Sequence, residues 1–546
     1  MIVYCPVWGK IQLSHYASLL LQTKPFQRLQ YLRQMGAAYL VFPGATHTRL
    51  AHSIGTYYLA KRTMQSLHKR YPSLPRLTYD DAEVVAIAAL CHDLGHGYLS
   101  HAHDALHSIT RSALPCSESH EHRTVRIVEG LLHCAVLPRD VDGDQSFCSH
   151  SFGAPNIIQA IREHPIARHG HLICELILGT PDKAPPGWTW SGCPDRYAYL
   201  FDIVCNAYGL DVDRVDYLVR DVQFTCGTSF VRTRTHARAT HARSYNWCGN
   251  LFTAKDARAL IKHCTVVRAT PAGNTMLSSD DCGHVVERFY IGWPSSSFAA
   301  IHRLYYTRHF MHARFYQQYD VRRAEHRIVA RLADMQLLSR PYAIHPCSRA
   351  LIVTGPQLLF NVDENSSIMQ QHNYIWPRMH AVADTVIDYC LLAGHTNTES
   401  LSLHSVDTII ASDSMSPTMT LRIEFGACCS HATMMHAIKA VQSYLQREPD
   451  VQHFADQIIH FGTSDGNPMQ HVPCSDAIRC RSNTLQKLQL PPRYVKIWLW
   501  LTASDKCIVE TVRSRIRRNV TLEMYMTTCP WRYGHVRHPS KRRFKI

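Results

Sequence analysis

A short apolar stretch that ends in a histidine, an aspartate and two glycines constrains the fold of this 546-residue chain most strongly. Residues 82–91, AEVVAIAALC, predict an apolar helix, and Thr78 with Asp81 resembles a capping box at its start. The glycines that follow predict the end of this helix. His92 and Asp93 are therefore expected side by side at its carboxyl end.

Apolar periodicity predicts a mainly α fold, with a helical body over residues 1–390 and a smaller C-terminal α+β region over 391–546. Helical patterns cover 14–70 (with a break at Pro43-Gly44), 200–222, 298–338 and 381–394, and a loop is predicted at 181–195. Further along, TLRIEFGAC and YVKIWLWLTA alternate like strands, whereas CIVETVRSRIRR looks helical.

Composition excludes several protein classes. A chain with 46% hydrophobic and 18% charged residues is too apolar to be disordered. Its apolar runs are far too short to cross a membrane, and its opening residues do not resemble a signal peptide, so no membrane partner is expected. The cysteines are scattered without a CxxC pair, which favours reduced thiols in an intracellular protein, cytoplasmic or nuclear.

The net charge of +15 predicts an anionic partner, and it is concentrated in two segments. Residues 513–546 hold ten lysines and arginines against one acid, and residues 232–244 add four arginines. These segments are either solvated termini and loops or sites for RNA or single-stranded DNA, and PSKRRFKI at the end of the chain also suits nuclear import.

The His92-Asp93 pair suits a metal site, because adjacent imidazole and carboxylate groups can both reach one ion at a helix end. Such ligands favour Mn, Fe, Zn or Mg. A single pair is weak support, since an isolated histidine is more often structural. His52 adds to it, because Arg49 lies three residues earlier on the same predicted helical face and could bind phosphate.

Two polar stripes have helical spacing i, i+4, i+8. The first stripe consists of Asp213, Tyr217 and Asp221, with Arg214 beside it. The second consists of Arg308, His312 and Tyr316, with Gln317 beside it. The first is a poor core face and favours a solvated functional surface. The second could equally be an incidental stripe on an amphipathic helix.

Four segments together resemble the HD-domain metal phosphohydrolases and, among these, the SAM-and-HD-domain dNTP triphosphohydrolases of vertebrates. They are FQRLQYLRQMGAAYLVFPGATHTRLAHSIG, AALCHDLGHGYLSHAHD, GLDVDRVDYLVRD and YTRHFMHARFYQQ. Their order and spacing agree with that family over roughly residues 1–340. No SAM domain precedes the HD region here, so a protein without one is expected.

The resemblance implies a role for each matching residue. Metal ligands would be His52, His92, Asp93 and Asp213; catalytic groups would be His96, His101, Asp104 and His120; substrate contacts would be Gln34, Met35, Arg49, Arg214, Tyr217, Asp221, Arg308, His312, Tyr316 and Gln317. At position 214 the family has lysine, and arginine keeps the charge with a different donor geometry.

The resemblance also implies a reaction. A divalent metal (Fe, Mn, Mg or Zn) would assist hydrolysis of a dNTP at the α-phosphorus, giving deoxynucleoside and inorganic triphosphate. His101, supported by Asp104, would protonate the departing 5′-oxygen, and Tyr316 would crowd out a 2′-hydroxyl. A homo-oligomer, dimer or tetramer, would be expected.

The sequence departs from the family at the site where guanine nucleotide activates it. The matching positions are Met1, Ile2, Gln22, Gln27 and Gln30, and only Gln27 agrees. Tyr319 replaces a phosphate-binding lysine, and residues 245–300 cannot be aligned with the second activator site. We therefore expect an enzyme that is not activated by GTP in the usual way.

Two other functions remain open at the level of sequence. An HD phosphohydrolase could act on another nucleotide or on single-stranded nucleic acid, and the basic segments also suit a nucleic-acid-binding protein. The complete set of metal-ligand matches argues against an inactive scaffold.

Overall fold

The computed structural model describes residues 1–76, 80–97, 100, 119–132, 152–185, 187–206, 210–232, 251–268, 289–316, 318, 320–322, 324–325, 418–425, 458–461 and 495–502. The chain divides into two compact units. One comprises residues 1–406 with 469–488, and the other comprises 407–468 with 489–546. The predicted domain boundary near residue 390 stays a prediction.

The first unit is mainly helical, as predicted. Its helices are α1 (His15–Leu20), α2 (Lys24–Leu29), α3 (Arg49–Arg70), α4 (Asp81–Cys91), α5 (His120–Leu132), α6 (Pro155–Glu163), α7 (Gly170–Leu178), α8 (Tyr199–Val204), α9 (Val212–Arg232), α10 (Ala254–His263) and α11 (Phe298–Met311). Two antiparallel strand pairs accompany them, β1 (Ile2–Cys5) with β2 (Gly9–Gln12) and β3 (Thr265–Arg268) with β4 (Phe289–Gly292).

Helix α3 occupies the centre of this unit and packs against α4, α9 and α10. Thr48 caps it, because the Thr48 hydroxyl accepts a hydrogen bond from the Ala51 amide. Helix α4 is the predicted apolar helix, and every residue from Val84 to Cys91 is buried. Each large aliphatic side chain buried here contributes about 1.5–3 kcal/mol to folding. Asp80 is the N-cap of this helix and makes no side-chain cap hydrogen bond, so the predicted capping box of Thr78 with Asp81 is wrong; Thr78 itself lies outside the described residues.

The structure corrects two predictions about helix limits. The 200–222 pattern is two helices, α8 and α9, because the Asp211 carboxylate accepts a hydrogen bond from the Arg214 amide and starts a new helix. The helix predicted from residue 298 changes after Met311 into a π-helical turn over His312–Tyr316. The N-terminal strands β1 and β2 were not predicted at all. Residues 326–338 and 381–394 lie outside the described residues.

The described part of the second unit is an antiparallel sheet. Its strands are β5 (Thr418–Phe425), β6 (Ile458–Phe461) and β7 (Val495–Thr502), in the order β5-β7-β6. Thr418 pairs with Thr502 and Phe425 with Val495, which confirms the two strands predicted from alternation. The predicted helix in CIVETVRSRIRR, the segment 232–244 beyond Arg232, and the tail 513–546 lie outside the described residues.

None of the helices described above combines the length and apolar character that crossing a bilayer demands.

Candidate active site

The turn after α4 is fixed by side chains that bind its backbone. The Thr124 hydroxyl of α5 accepts from the Gly95 amide (2.8 Å) and donates to the His92 carbonyl (3.0 Å). Arg123 donates to the Gly95 carbonyl at 2.8 Å. A Cβ atom at Gly95 would lie 2.1 Å from the His120 carbonyl oxygen, so the turn and α5 approach as closely as glycine allows.

Four side chains from three helices converge on one point beside this turn. His52 comes from α3, His92 and Asp93 follow α4, and Asp213 is in the first turn of α9. The Nε2 atoms of His52 and His92 are 3.2 Å apart, and Asp213 Oδ1 lies 3.0 Å from the first and 3.4 Å from the second.

Asp93 completes this group. Its Oδ1 lies 3.4 Å from His92 Nε2, and its Oδ2 lies 3.7 Å from His52 Nε2. His52, His92 and Asp93 offer ligand atoms that all lie within 4.8 Å of one another. All four metal ligands expected from the resemblance therefore come together.

The outer contacts of the two histidines fit a metal site. His92 Nδ1 lies 2.8 Å from the Ala89 carbonyl oxygen, and His52 Nδ1 lies 2.7 Å from an Asp216 carboxylate oxygen. Since a carbonyl and a carboxylate can only accept, both Nδ1 atoms carry the proton. When both rings are in their neutral form, the Nε2 lone pairs face each other beside two carboxylates, an arrangement that a divalent cation would stabilise.

Charges in this cluster shift its pKa values strongly. Burial lowers the pKa of His52, but its hydrogen bonds to Asp213 and Asp216 outweigh burial and raise it to about 10. Burial raises the pKa of Asp213, yet its bonds to His52 and His92 outweigh this and hold it below its ordinary value. In the absence of a cation, positive charge is thus held here as protons, which a metal would displace.

Arg49 is positioned by groups on the turn. Its Nη1 donates to Asp93 Oδ2 at 2.5 Å and its Nε donates to the Ser100 hydroxyl at 2.8 Å. Ser100 is buried with a φ of 55°, an uncommon backbone conformation for a residue other than glycine, and its hydroxyl donates to the Arg33 carbonyl. Sequence reasoning missed Ser100, since its neighbours along the chain do not reveal this contact.

His96 and His120 form a stacked pair with ring centroids 3.9 Å apart. Burial, with the nearby charges of Arg49 and His120, holds the pKa of His96 well below its ordinary value. His96 is therefore uncharged near neutral pH. The other two predicted catalytic groups, His101 and Asp104, lie outside the described residues.

A cavity of about 490 Å³ opens beside the four-residue cluster. Its walls include most of the predicted site residues: Gln34, Met35, Arg49, His92, Asp93, His96, His120, Asp213, Arg214, Tyr217, Asp221, Arg308, His312 and Tyr316. Gln317 lies outside the described residues. Lys183 also lines this cavity and was not predicted from the sequence.

The wall formed by α9 and the π-helical turn is organised around Asp221. Tyr316 donates its hydroxyl hydrogen to Asp221 Oδ2, and His47 Nε2 donates to Asp221 Oδ1 at 2.7 Å. The His47 ring stacks on Phe224 at 4.6 Å, and the rings of His312 and Tyr316 meet edge to face at 5.0 Å. His47 was not predicted, because nothing in the local sequence links it to a residue so far along the chain.

Comparison with known proteins identifies relatives of this part of the chain. Residues 49–218 match the family profile described as HD domain. Deoxynucleoside triphosphate triphosphohydrolase SAMHD1 of Gallus gallus is 36% identical over 220 residues, which cover 40% of this chain and 32% of that protein. The Xenopus laevis protein of the same name is 33% identical over 220 residues, covering 40% of this chain and 33% of its own.

A viral relative is similar at a lower level. An HD domain-containing protein of Acanthamoeba polyphaga mimivirus is 30% identical over 242 residues, which cover 42% of this chain and 44% of that protein. The chain thus spans about a third of the length of the vertebrate relatives it matches. Residues 49–218, which contain all four converging ligand candidates, thus match the HD domain profile, and this part of the chain is similar to the SAMHD1 triphosphohydrolases.

Proposed function

We propose that this protein is a metal-dependent dNTP triphosphohydrolase that converts a dNTP and water into deoxynucleoside and inorganic triphosphate. The observation that carries the proposal is the convergence of two histidines and two aspartates at the wall of a cavity that also holds arginines and the Asp221–Tyr316 pair. The similarity to enzymes with this name supports the choice of substrate.

His52, His92, Asp93 and Asp213 would hold the metal, with nitrogen and oxygen donors that suit Fe, Mn, Mg or Zn. When bound, a divalent cation supplies Lewis acidity toward a phosphoryl oxygen and makes a water molecule more acidic. The hydrogen bonds of the two Nδ1 atoms keep both Nε2 atoms turned toward that position. Metal affinity therefore depends on residues that do not touch the ion.

Arg49, Arg214 and Arg308 supply positive charge along the cavity wall for a triphosphate. Arg49 is already held in place by Asp93 and Ser100, so little reorganisation is required when the substrate binds. Arg214 Nη1 lies 3.9 Å from the buried Asp211 carboxylate, and the Arg214 side chain is partly exposed and lines the cavity. These side chains would balance the negative charge that builds up on the triphosphate as water attacks the α-phosphorus.

Protonation of the departing 5′-oxygen is assigned to His101 with Asp104 as its support, as the family resemblance implies. His96, which is uncharged, can donate a ring N–H to a phosphate oxygen without carrying a net charge itself. Its stacked partner His120 limits rotation of the ring.

Asp221, Tyr217 and Tyr316 form the proposed sugar side of the site. A carboxylate that already accepts from His47 and Tyr316 has lone pairs left for the 3′-hydroxyl of a deoxyribose. The Tyr316 ring would occupy the space that a 2′-hydroxyl needs, which favours deoxynucleotides. Gln34 and Met35 line the same cavity toward the base.

Activation by GTP is not required in this proposal. Gln22 and Gln27 stand at positions where the family binds guanine nucleotide, and their side-chain amides donate to backbone carbonyls of their own segment. A homo-oligomer and nucleic-acid binding through segments 232–244 and 513–546 belong to the proposal as well.

A substrate panel tests this function. The purified chain is incubated with Mn²⁺ or Mg²⁺ and with dNTPs, NTPs, cyclic dinucleotides or single-stranded DNA, without and with GTP. We expect turnover of dNTPs without GTP and release of inorganic triphosphate. Cleavage of cyclic dinucleotides or DNA in place of dNTPs would assign the site to a different phosphohydrolase, and strict dependence on GTP would overturn activator-independent turnover.

A further inference from the structure

Asp216 is a buried carboxylate in α9. It does not belong to the stripe of Asp213, Tyr217 and Asp221 that the sequence identified. It is fully shielded from solvent, and so is the side chain of Arg220 one helical turn later. Buried charges of this kind need partners on every side, because an unpaired one is costly. The partners of Asp216 identify what it does.

Both carboxylate oxygens of Asp216 are fully used. Oδ2 accepts from His52 Nδ1 at 2.7 Å and from Arg220 Nε at 2.8 Å. Oδ1 accepts from Arg220 Nη2 at 2.8 Å and from the indole N–H of Trp8 at 2.5 Å. The carboxylate is thereby immobilised by three side chains from three parts of the chain.

The contact with His52 decides how that imidazole can act. An ionised carboxylate cannot donate, so the proton of the bond belongs to His52 Nδ1 and the Nε2 lone pair is directed away from Asp216. Nε2 lies 3.2 Å from His92 Nε2 and 3.0 Å from Asp213 Oδ1. Asp216 therefore turns the ring toward the proposed metal position and increases its electron-donating strength.

Two further residues, Gly55 and Trp8, lie close to the Asp216 carboxylate. A Cβ atom at Gly55 of α3 would lie 1.9 Å from Asp216 Oδ1, so only glycine allows α3 and α9 to approach this closely. Trp8, in the turn between β1 and β2, is buried at 4% exposure and delivers its N–H to the same oxygen. The N-terminal hairpin is therefore linked to the metal-ligand candidate His52 through Asp216.

We propose that Asp216 is a positioning residue for the metal centre, holding His52 in the tautomer and orientation that ligation requires, with Trp8 fixing the carboxylate from the N-terminal hairpin. This inference rests on the proposed metal site but does not depend on which nucleotide is hydrolysed. Asp216 does not touch substrate or the reacting atoms.

The test measures the affinity of the full chain for Mn²⁺, followed through the electron paramagnetic resonance signal of the free ion. Asp216→Asn keeps the shape of the side chain and removes its charge, and we expect it to weaken Mn²⁺ binding by about 10- to 100-fold. Arg220→Gln is the matched control, since it disrupts the same buried pair while leaving the Asp216–His52 bond in place. Because it removes one of the three side chains that hold Asp216, some Mn²⁺ affinity should be lost, but clearly less than in Asp216→Asn.

A double variant, Asp216→Asn with Arg220→Gln, guards against misfolding, because it leaves no unpaired buried charge. We expect it to fold, as judged by circular dichroism, and still to bind Mn²⁺ as weakly as Asp216→Asn. If the unaltered chain binds Mn²⁺ and the double variant binds it equally well, Asp216 has no positioning role. If the unaltered chain binds no divalent metal, the proposed function itself fails.

Discussion

At the scale of single residues, the cavity wall opposite the metal ligands depends on how Asp221 is held. His47 and Tyr316 bind its two oxygens from different elements, so the carboxylate has a fixed orientation before any sugar arrives. Prior ordering of this kind means that substrate binding does not have to immobilise the group. The Tyr316 ring and the Tyr316 hydroxyl then have separable roles.

Tyr316→Ala should weaken discrimination against ribonucleotides. Removing the ring frees space for a 2′-hydroxyl, and we expect the ratio of kcat/KM for an NTP to that for the matching dNTP to rise about 10-fold or more. Tyr316→Phe is the control, because it loses only the bond to Asp221 and keeps the ring. An alanine variant as selective as the phenylalanine variant would contradict the assignment of Tyr316 to the sugar side.

Sequence could identify residues of the site that follow helical spacing or adjoin the His-Asp pair. Asp213, Tyr217 and Asp221 fall on one stripe of a single helix, and His92 with Asp93 stand at a helix end, as expected. His47, Ser100 and Asp216 were missed, because each acts through a partner that only the tertiary fold brings near. Hydrophobic periodicity along the sequence does not reveal contacts between residues that are far apart in the chain.

At the scale of elements, α5 stabilises the turn that carries His92 and Asp93. Thr124 binds the turn through both an acceptor and a donor function. Both partners of Thr124 are backbone groups, so their hydrogen bonds must be satisfied once they are buried.

Thr124→Val keeps the volume of the side chain and removes both bonds. We expect a loss of about 1–3 kcal/mol in the free energy of unfolding, because the Gly95 amide is left without this partner, and a lower kcat for dNTP hydrolysis. Thr63→Val is the matched control, since the Thr63 hydroxyl only donates to the Leu59 carbonyl within its own helix. An equal decrease in melting temperature for the two variants, measured by circular dichroism, would show that the two hydrogen bonds of Thr124 to the turn add no particular stability.

Helix α3 approaches α9 at Gly55, and this approach is sensitive to one added methyl group. Gly55→Ala places a Cβ 1.9 Å from Asp216 Oδ1, and the buried pair has no room to move, so we expect destabilisation of about 1–3 kcal/mol or more. Gly153→Ala serves for comparison, because its nearest neighbour would be 3.7 Å away. Denaturant titration of both variants measures the difference, and equal midpoints would mean that α3 and α9 pack less tightly than described.

Prediction of the elements was accurate where the pattern was long and uniform. The apolar run gave α4, and alternation gave β5 and β7. It failed where a polar side chain interrupts a helical pattern, as Asp211 does between α8 and α9, because capping is decided by one hydrogen bond. The short hairpin β1–β2 also escaped, since four-residue strands carry too little periodicity.

At the scale of the whole molecule, the +15 charge is unevenly distributed along the chain. Residues 513–546 and 232–244 together hold 13 of the 15 net positive charges, so the rest of the chain is close to neutral. The basic tail is therefore expected to act separately from catalysis.

Replacing Lys541, Arg542, Arg543 and Lys545 with glutamine should weaken binding to single-stranded DNA and leave dNTP hydrolysis unchanged. The dependence of affinity on salt should become shallower by about 0.7 in log–log slope for each phosphate that the tail no longer neutralises. Fluorescence anisotropy over a salt series measures both effects, with Arg62→Gln in α3 as a control. An unchanged affinity and slope would leave the tail as a solvated terminus.

The central claim, hydrolysis at the α-phosphorus by the His52–His92–Asp93–Asp213 centre, is tested most directly by running the reaction in H₂¹⁸O with Mn²⁺. Water that attacks the α-phosphorus while the bond to the 5′-oxygen breaks puts the label in inorganic triphosphate and leaves the deoxynucleoside unlabelled. We predict this result by mass spectrometry for the unaltered chain, and no product for Asp213→Ala. Labelled phosphate or pyrophosphate as the product, or full turnover by Asp213→Ala, would contradict it.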